Sequence, residues 1–264
     1  MDAIINQKIK TNKKLLVINS AQTGIYIGRK SLIPAFCDHY KIMHTGSNPY
    51  VVSLCRDKFH TNAIINSFVD YHLNTYLFHK SKKWLNNIKP QIDERVIIKL
   101  NGESASIGLT TDNIIYYKGQ ESDNYIYSLS EKYNQPIIVQ QFISGYEVEL
   151  PIIISNINTA LFPAGISHNG NIYIGDYILD YSSRYNHLYD FYNLNEYNTE
   201  LTLKLMQEAS KISQILGMEG FCRIDFRIDN NNQYFVSDIA CNPHITKDSS
   251  FAYIFKEMGY SYSE

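Results

Sequence analysis

The amino-acid sequence predicts an α+β fold made of more than one lobe. Three observations carry that prediction. From Arg95 onward the chain turns into a succession of strand-like runs. Those runs do not alternate strictly with helices, as a single doubly wound sheet would require. One long amphipathic helix, Tyr197–Leu216, falls between two groups of strands. With 264 residues, 44% of them hydrophobic, the chain is long enough for a substantial core. A chain of this size buries roughly 70–75% of its unfolded surface.

In order along the chain, LLVINS (Leu15–Ser20) reads as a short buried strand closed by a polar turn. Ser31–Tyr40 reads as a helix with Leu32 and Phe36 in helical spacing, and Pro34 is acceptable in its first turn. A second helix follows the turn-like TGSNP and spans Tyr50 to Phe68, with Val51, Leu54, Ile64, Ile65 and Phe68 on one stripe. RVIIKL (Arg95–Leu100) is a strand, NGESASIG a loop of small polar residues, and Ser122–Tyr133 a helix. IIVQQFI and YEVELPIII are strands, followed by the strand-like TALFPAGIS and NIYIG. Leu201, Leu205, Ile212 and Leu216 recur at helical spacing, and Gly217 is placed to cap their helix. FCRIDFRI and QYFVSDIA form two strands joined by the turn-rich DNNN, and a last helix starts near Asp248.

Composition narrows the class of function. A net charge of −2 and a pI near 6.4 give no polycationic face for nucleic acid. Lys80, Lys82 and Lys83 form one short basic cluster, read as a solvated loop. Cys37, Cys55, Cys222 and Cys241 are scattered without metal-binding or disulfide spacing, which predicts reduced thiols and a cytoplasmic location. The polar start MDAIINQKIKTNKK is unlike a signal peptide. No apolar run reaches the ~20 residues of a membrane span.

Chemistry concentrates in two places. In residues 222–228, Cys222, Ile224, Phe226 and Ile228 alternate with Arg223, Asp225 and Arg227. If Asp229 and Tyr234 close the hairpin, Asp225 lies opposite Asp238, and facing like charges need a neutraliser. A Mg²⁺ ion, which takes one or two carboxylates and completes its shell with phosphates, is one answer. A solvated hairpin balanced by its own arginines is the other. Lys99, at the end of an apolar strand beside NGESASIG, leaves the same choice between a phosphate contact and a side chain reaching for solvent.

Taken in order, four segments resemble the ATP-grasp family, specifically its D-alanine–D-alanine ligase branch. They are IPAFCDHYKIMHTGSNPYVVSLCRDK, VIIKLNGESASIG, IIVQQFISGYEVEL, and the pair GFCRIDF with FVSDIACNPHITKDSS. The resemblance implies two α+β lobes sandwiching ATP: a short α/β N-terminal segment at residues 1–57, a small lobe at 58–147, and a C-terminal lobe with a metal site at 148–264. It implies that Lys58 and Lys99 contact the ATP phosphates and that Ser106 covers their β/γ end. Gln140, Gln141 and Ile143 would line adenine, and Glu147 would accept the ribose hydroxyls. Arg223 would stabilise a tetrahedral intermediate, and Asp225, Asp238 and Asn242 would hold Mg²⁺. Arg184, Tyr185 and Ser249 would serve substrate and phosphate.

The implied reaction is ATP-dependent amide formation through an acyl phosphate, on amino-acid or small-peptide substrates, in a protein that forms homodimers. Departures from the family pattern lie at Ala105, Asp238 and Ala240, and at the N-terminus, where no glycine-rich turn or amine-gripping acid matches. They point away from D-alanine as substrate and support a competing reading, a degenerate ATP-grasp protein that binds nucleotide without turnover.

Overall fold

The computed structural model describes residues 14–20, 27–81, 83–103, 106–155, 158–180, 183, 186 and 188–264. The chain runs β1 (Leu16–Val17), α1 (Leu32–His39), β2 (Met43–His44), α2 (Pro49–Arg56), α3 (Lys58–Asn66), β3 (Thr75–His79), β4 (Lys83–Trp84), β5 (Arg95–Leu100) and β6 (Ile114–Tyr116). It continues α4 (Gln120–Tyr133), β7 (Ile137–Gln141), β8 (Tyr146–Ile154), β9 (Asn158–Ala160), β10 (Ala164–Ser167) and β11 (Asp190–Asn193). It ends α5 (Thr199–Leu216), β12 (Gly220–Ile228), β13 (Tyr234–Ala240) and α6 (Ser250–Glu257).

Two antiparallel sheets dominate. The smaller has the order β4-β3-β7-β5-β6, and the larger β11-β10-β8-β12-β13 with β9 on the edge of β8. Each buries one face under a helix. Val96, Ile98, Ile137 and Val139 pack with Ile126 of α4. Val148, Leu150, Ile152, Cys222, Ile224 and Phe226 pack with Leu201, Leu205, Ala209 and Ile212 of α5. Period-2 alternation in the strands and 3.6-period recurrence in α5 meet in one core, as α+β layering requires. Gly217 caps α5 in the left-handed region at φ 66°.

Several local expectations need correction. The helix expected over Tyr50–Phe68 is two helices, because Asp57 adopts an extended conformation (φ −86°, ψ 91°) and caps α3 through the His60 N–H at 3.2 Å. Phe68 is exposed as a result. In α1 the buried residues are Pro34 and Cys37, whereas Leu32 is exposed. The strand expected to be buried at Leu15–Ser20 pairs only with β2 among the described residues, leaving Leu16 and Ile18 exposed. NIYIG contributes isolated bridges, not a strand. Among the described residues no helix is long and apolar enough to cross a membrane.

Gly145 joins the two sheets' strands at β7–β8 and exchanges backbone hydrogen bonds with Gly175 at 3.0 and 2.9 Å. A Cβ there would lie 1.9 Å from the Ile228 carbonyl oxygen, which is backbone and cannot step aside cheaply. Gly145→Ala is expected to cost about 2–4 kcal/mol in urea unfolding, against less than about 0.5 kcal/mol for Gly28→Ala. A Cβ on Gly28 meets nothing within 4 Å.

Candidate active site

β13, β12 and β8 lie side by side, so Asp238, Asp225 and Glu149 stand in one row across three strands. The facing aspartates are as the sequence predicts, by a different route. The hairpin closes at Ile228 and Tyr234, and a bulge between Asp225 and Phe226 shifts the register back into line. The charged face is not solvated: Arg223, Asp225 and Arg227 are all buried. Its neutralisers are side chains. Arg223 forks onto Asp225, Nε to Oδ1 and Nη2 to Oδ2 both at 2.7 Å, and its Nη1 lies 2.8 Å from Glu149 Oε2. Asp238 pairs with Lys58.

Burial drives the charge states. It raises the Asp225 carboxyl to about 7 against the pull of Arg223, with Glu149 adding to the rise. Burial would raise Asp238 too, but Lys58 and then Lys99 bring it down to about 2. For Arg223, burial opposes the charge, yet Asp225 and Glu149 outweigh it and raise the guanidinium above its ordinary value.

Opposite this row stands the uncovered face of the smaller sheet. Asn101, just after β5, ties that strand to the start of α3: its carbonyl accepts from Lys58 N at 3.3 Å and its Oδ1 from Phe59 N at 2.9 Å. This link sets Lys58 beside Lys99. Lys99 Nζ donates to Gln140 Oε1 and, across the cleft, to the Ser237 carbonyl, both at 3.3 Å. Burial, then Lys58, lowers Lys99 to about 8, with Asp238 and Glu147 opposing.

A lysine depressed in the folded state binds fewer protons there than in the unfolded chain between pH 8 and 10.5. Its contribution to stability therefore rises with pH across that window. The stability of the wild type relative to Lys99→Met is expected to climb between pH 8 and 10 in urea titrations. An unchanging difference would refute the lowered value.

Lys58, Lys99, Ser106, Gln140, Gln141, Ile143, Glu147, Asp225 and Asp238 all line this one narrow cleft. Ser106 also donates its hydroxyl to the Leu179 carbonyl. Three contributors escaped the sequence reading. Ile97, Phe142 and Ile178 form an apolar wall. Arg227 holds Glu147 Oε2 at 3.0 Å and the Ile143 carbonyl at 3.0 Å, and its guanidinium lies over the Phe142 ring. Glu149 completes the acidic row. Alternation in YEVEL, which puts Glu147 and Glu149 on the same face, was the available signal for Glu149.

A second, wider cavity of about 690 Å³ opens beside the cleft and shares Asp238 and Ser106 with it. Lys30, Arg56, Arg223, Asn242 and Ser249 line it. Asn242 does not line the narrow cleft with Asp225; its carbonyl accepts from Lys30 Nζ at 3.2 Å. Ser249 caps α6, accepting from Ala252 N at 3.2 Å and donating to the Thr246 carbonyl at 2.7 Å. Arg184 and Tyr185 lie outside the described residues.

The family model described as "D-ala D-ala ligase C-terminus" matches residues 67–264. The chain belongs to that family. This ATP-grasp chain is 23% identical over 260 residues to D-alanine–D-alanine ligase B of Clostridium tetani, a match covering 96% of the chain and 69% of that protein. Its fold is similar to the VanG D-Ala:D-Ser ligase of Enterococcus faecalis (TM-score 0.72, 19% identity, 94% of this chain and 69% of that one). It is also similar to the D-alanine–D-alanine ligase of Bacillus anthracis complexed with ATP (TM-score 0.65, 15% identity, 88% and 70%).

ATP-grasp membership raises the question of a metal. Among the described residues no three His, Cys, Asp or Glu side chains converge as a closed metal cage. Asp225 and Asp238 nevertheless face one another at the cleft, and two carboxylates suit a Mg²⁺ ion that keeps its remaining sites for phosphate and water. The donor set fits such an ion. Ala240 adds no donor, and it pairs with Arg223 across the hairpin.

Proposed function

We propose that this chain is an ATP-dependent carboxylate–amine ligase that holds nucleotide in the narrow cleft and its acceptor substrates in the wide cavity. One observation supports this most: Lys99 of the smaller sheet and Lys58 at the start of α3 meet the aspartates of the larger sheet across a cleft with an apolar wall. Ile97, Phe142 and Ile178 suit a flat base. Glu147, positioned by Arg227, suits sugar hydroxyls. Lys58 and Lys99 suit the triphosphate. Lys58 and Lys99, which here engage Asp238 and the Ser237 carbonyl, would hold the phosphates of a bound nucleotide, and Asp238 would then be free of Lys58.

When bound at Asp225 and Asp238, Mg²⁺ supplies charge neutralisation to the transferring phosphoryl group. The residues around it position and neutralise; phosphoryl transfer requires no covalent protein partner. Arg223, at the boundary of cleft and cavity, is placed to stabilise negative charge as an amine adds to the activated carboxyl carbon.

A nucleotide-binding protein without turnover is the second reading. It is favoured by Ala240 and by Glu149, which already engages Arg223 at 2.8 Å. Phosphate release with ATP and Mg²⁺ against paired amino acids and short peptides separates the two. Stimulation by a carboxylate with an amine is expected. Tight ATP binding with no stimulation by any pair would establish the second reading.

A further inference from the structure

The wide cavity has an unusual charge pattern at the end formed by the N-terminal segment. Two of its lining residues there are cationic, Lys30 and Arg56, the latter from α2, and Arg29 adjoins Lys30 in the chain. Lys30 and Arg56 line the cavity and are both more than nine-tenths buried, at 9% and 8% exposure. Burying a charge is costly unless it is paired, so each should have an acid of its own.

They do not. Glu103 is shared, at 2.9 Å from Arg29 and 3.6 Å from Arg56. Asp238 is taken by Lys58, and Glu149 by Arg223. Asp248 stands exposed at the rim. Lys30 Nζ donates to the Asn242 carbonyl, which is neutral. Arg56 donates Nη2 to the Gly102 carbonyl at 2.6 Å, while its Nε is buried with no hydrogen-bond partner.

We propose that Lys30 and Arg56 form an anion subsite, so that the substrate taken by the wide cavity carries an anionic group, carboxylate or phosphate monoester, at that end. A bound anion would supply Lys30 with a countercharge, Arg56 with a closer one than the shared Glu103, and Arg56 Nε with an acceptor. Arg56's planar fork suits a carboxylate or phosphate edge, and Lys30 adds a point charge. With Arg223 some way along the same cavity, a substrate bearing two separated anionic groups would have a cation at each end. This inference rests on the ligase reading only in calling the occupant a substrate.

Calorimetric titration of the full chain with glutarate, O-phosphoserine and alanine, with and without a non-hydrolysable ATP analogue and Mg²⁺, tests it. Glutarate or O-phosphoserine is expected to bind at least tenfold more tightly than alanine, and the stronger of the two identifies the anion. Lys30→Met and Arg56→Met are each expected to erase most of that preference while leaving affinity for the ATP analogue unaltered. Melting curves confirm that both variants fold, and the wild-type comparison needs no variant. Alanine binding as tightly as both anions would overturn the subsite, as would a preference that survives both substitutions. Phosphate release with neutral amino acids alone, without anion preference, would remove the subsite and leave the ligase reading intact. Anion binding without phosphate release from any substrate pair would do the reverse.

Discussion

Arg223→Met is expected to destabilise the chain by about 3–5 kcal/mol, the usual cost of removing one member of a buried ion cluster. The fall in melting temperature for a chain of this size would be roughly 10 °C. The reason lies in the row Glu149–Asp225–Asp238. Arg223 is the cation bonded to the first two, at 2.8 Å and twice at 2.7 Å, and both carboxylates are almost fully buried. Without it, two acids directly opposite each other on neighbouring strands share a dry site.

Methionine keeps most of the volume, so lost packing contributes little. Replacing Arg223, Glu149 and Asp225 together by apolar residues of similar size is expected to recover most of the loss, because no charge is then left uncompensated. Urea unfolding of the single and triple variants checks both expectations. A single variant within about 1 kcal/mol of wild type would mean that water already reaches these carboxylates.

Lys99→Met is expected to have the opposite profile: phosphate release falls by about 10²–10³-fold, the range seen when one preorganised charge is removed from an active site. Stability should hold or rise. Lys99 is depressed to about 8 by burial and by Lys58, so its ammonium is held at some cost to the fold. Its two partners, Gln140 Oε1 and the Ser237 carbonyl, are neutral. Phosphate-release rates beside melting curves read the two effects separately. Retention of activity within threefold would remove Lys99 from the phosphoryl-transfer machinery, and a large drop in melting temperature would make it structural.

Much of this arrangement is legible in the residues. The alternation from Cys222 to Ile228 correctly separates a core face from a charged face, and it places Asp225 and Asp238 together. RVIIKL correctly reads as a strand, and its lysine, Lys99, lines the cleft. The hairpin's own arginines are one of the two readings its sequence leaves open, and Arg223 does balance Asp225. What escaped is that the charged face is buried, that Glu149 joins it from another strand, and that Asp238 is balanced by Lys58 from a helix. The break at Asp57 also escaped, because its cause is partly Asn101, whose Nδ2 donates to the Asp57 carboxylate at 2.9 Å from 44 positions along the chain. The cysteines follow the same pattern: scattered in sequence, Cys55, Cys222 and Cys241 share one core and interact with one another there.

The sequence by itself determined the central strands β5, β7, β8, β12 and β13, the two faces of the β12–β13 hairpin, the capped helix over the larger sheet and the order of the cleft-lining motifs. Those features depend on neighbours two to four residues apart, where side-chain periodicity and capping act. Only the tertiary structure decided which charges compensate which, where α2 gives way to α3, and that Lys30 reaches Asn242 across 212 positions to line the wide cavity. Electrostatic pairing depends on distance and burial in space, and neither is encoded in the spacing of residues along a strand.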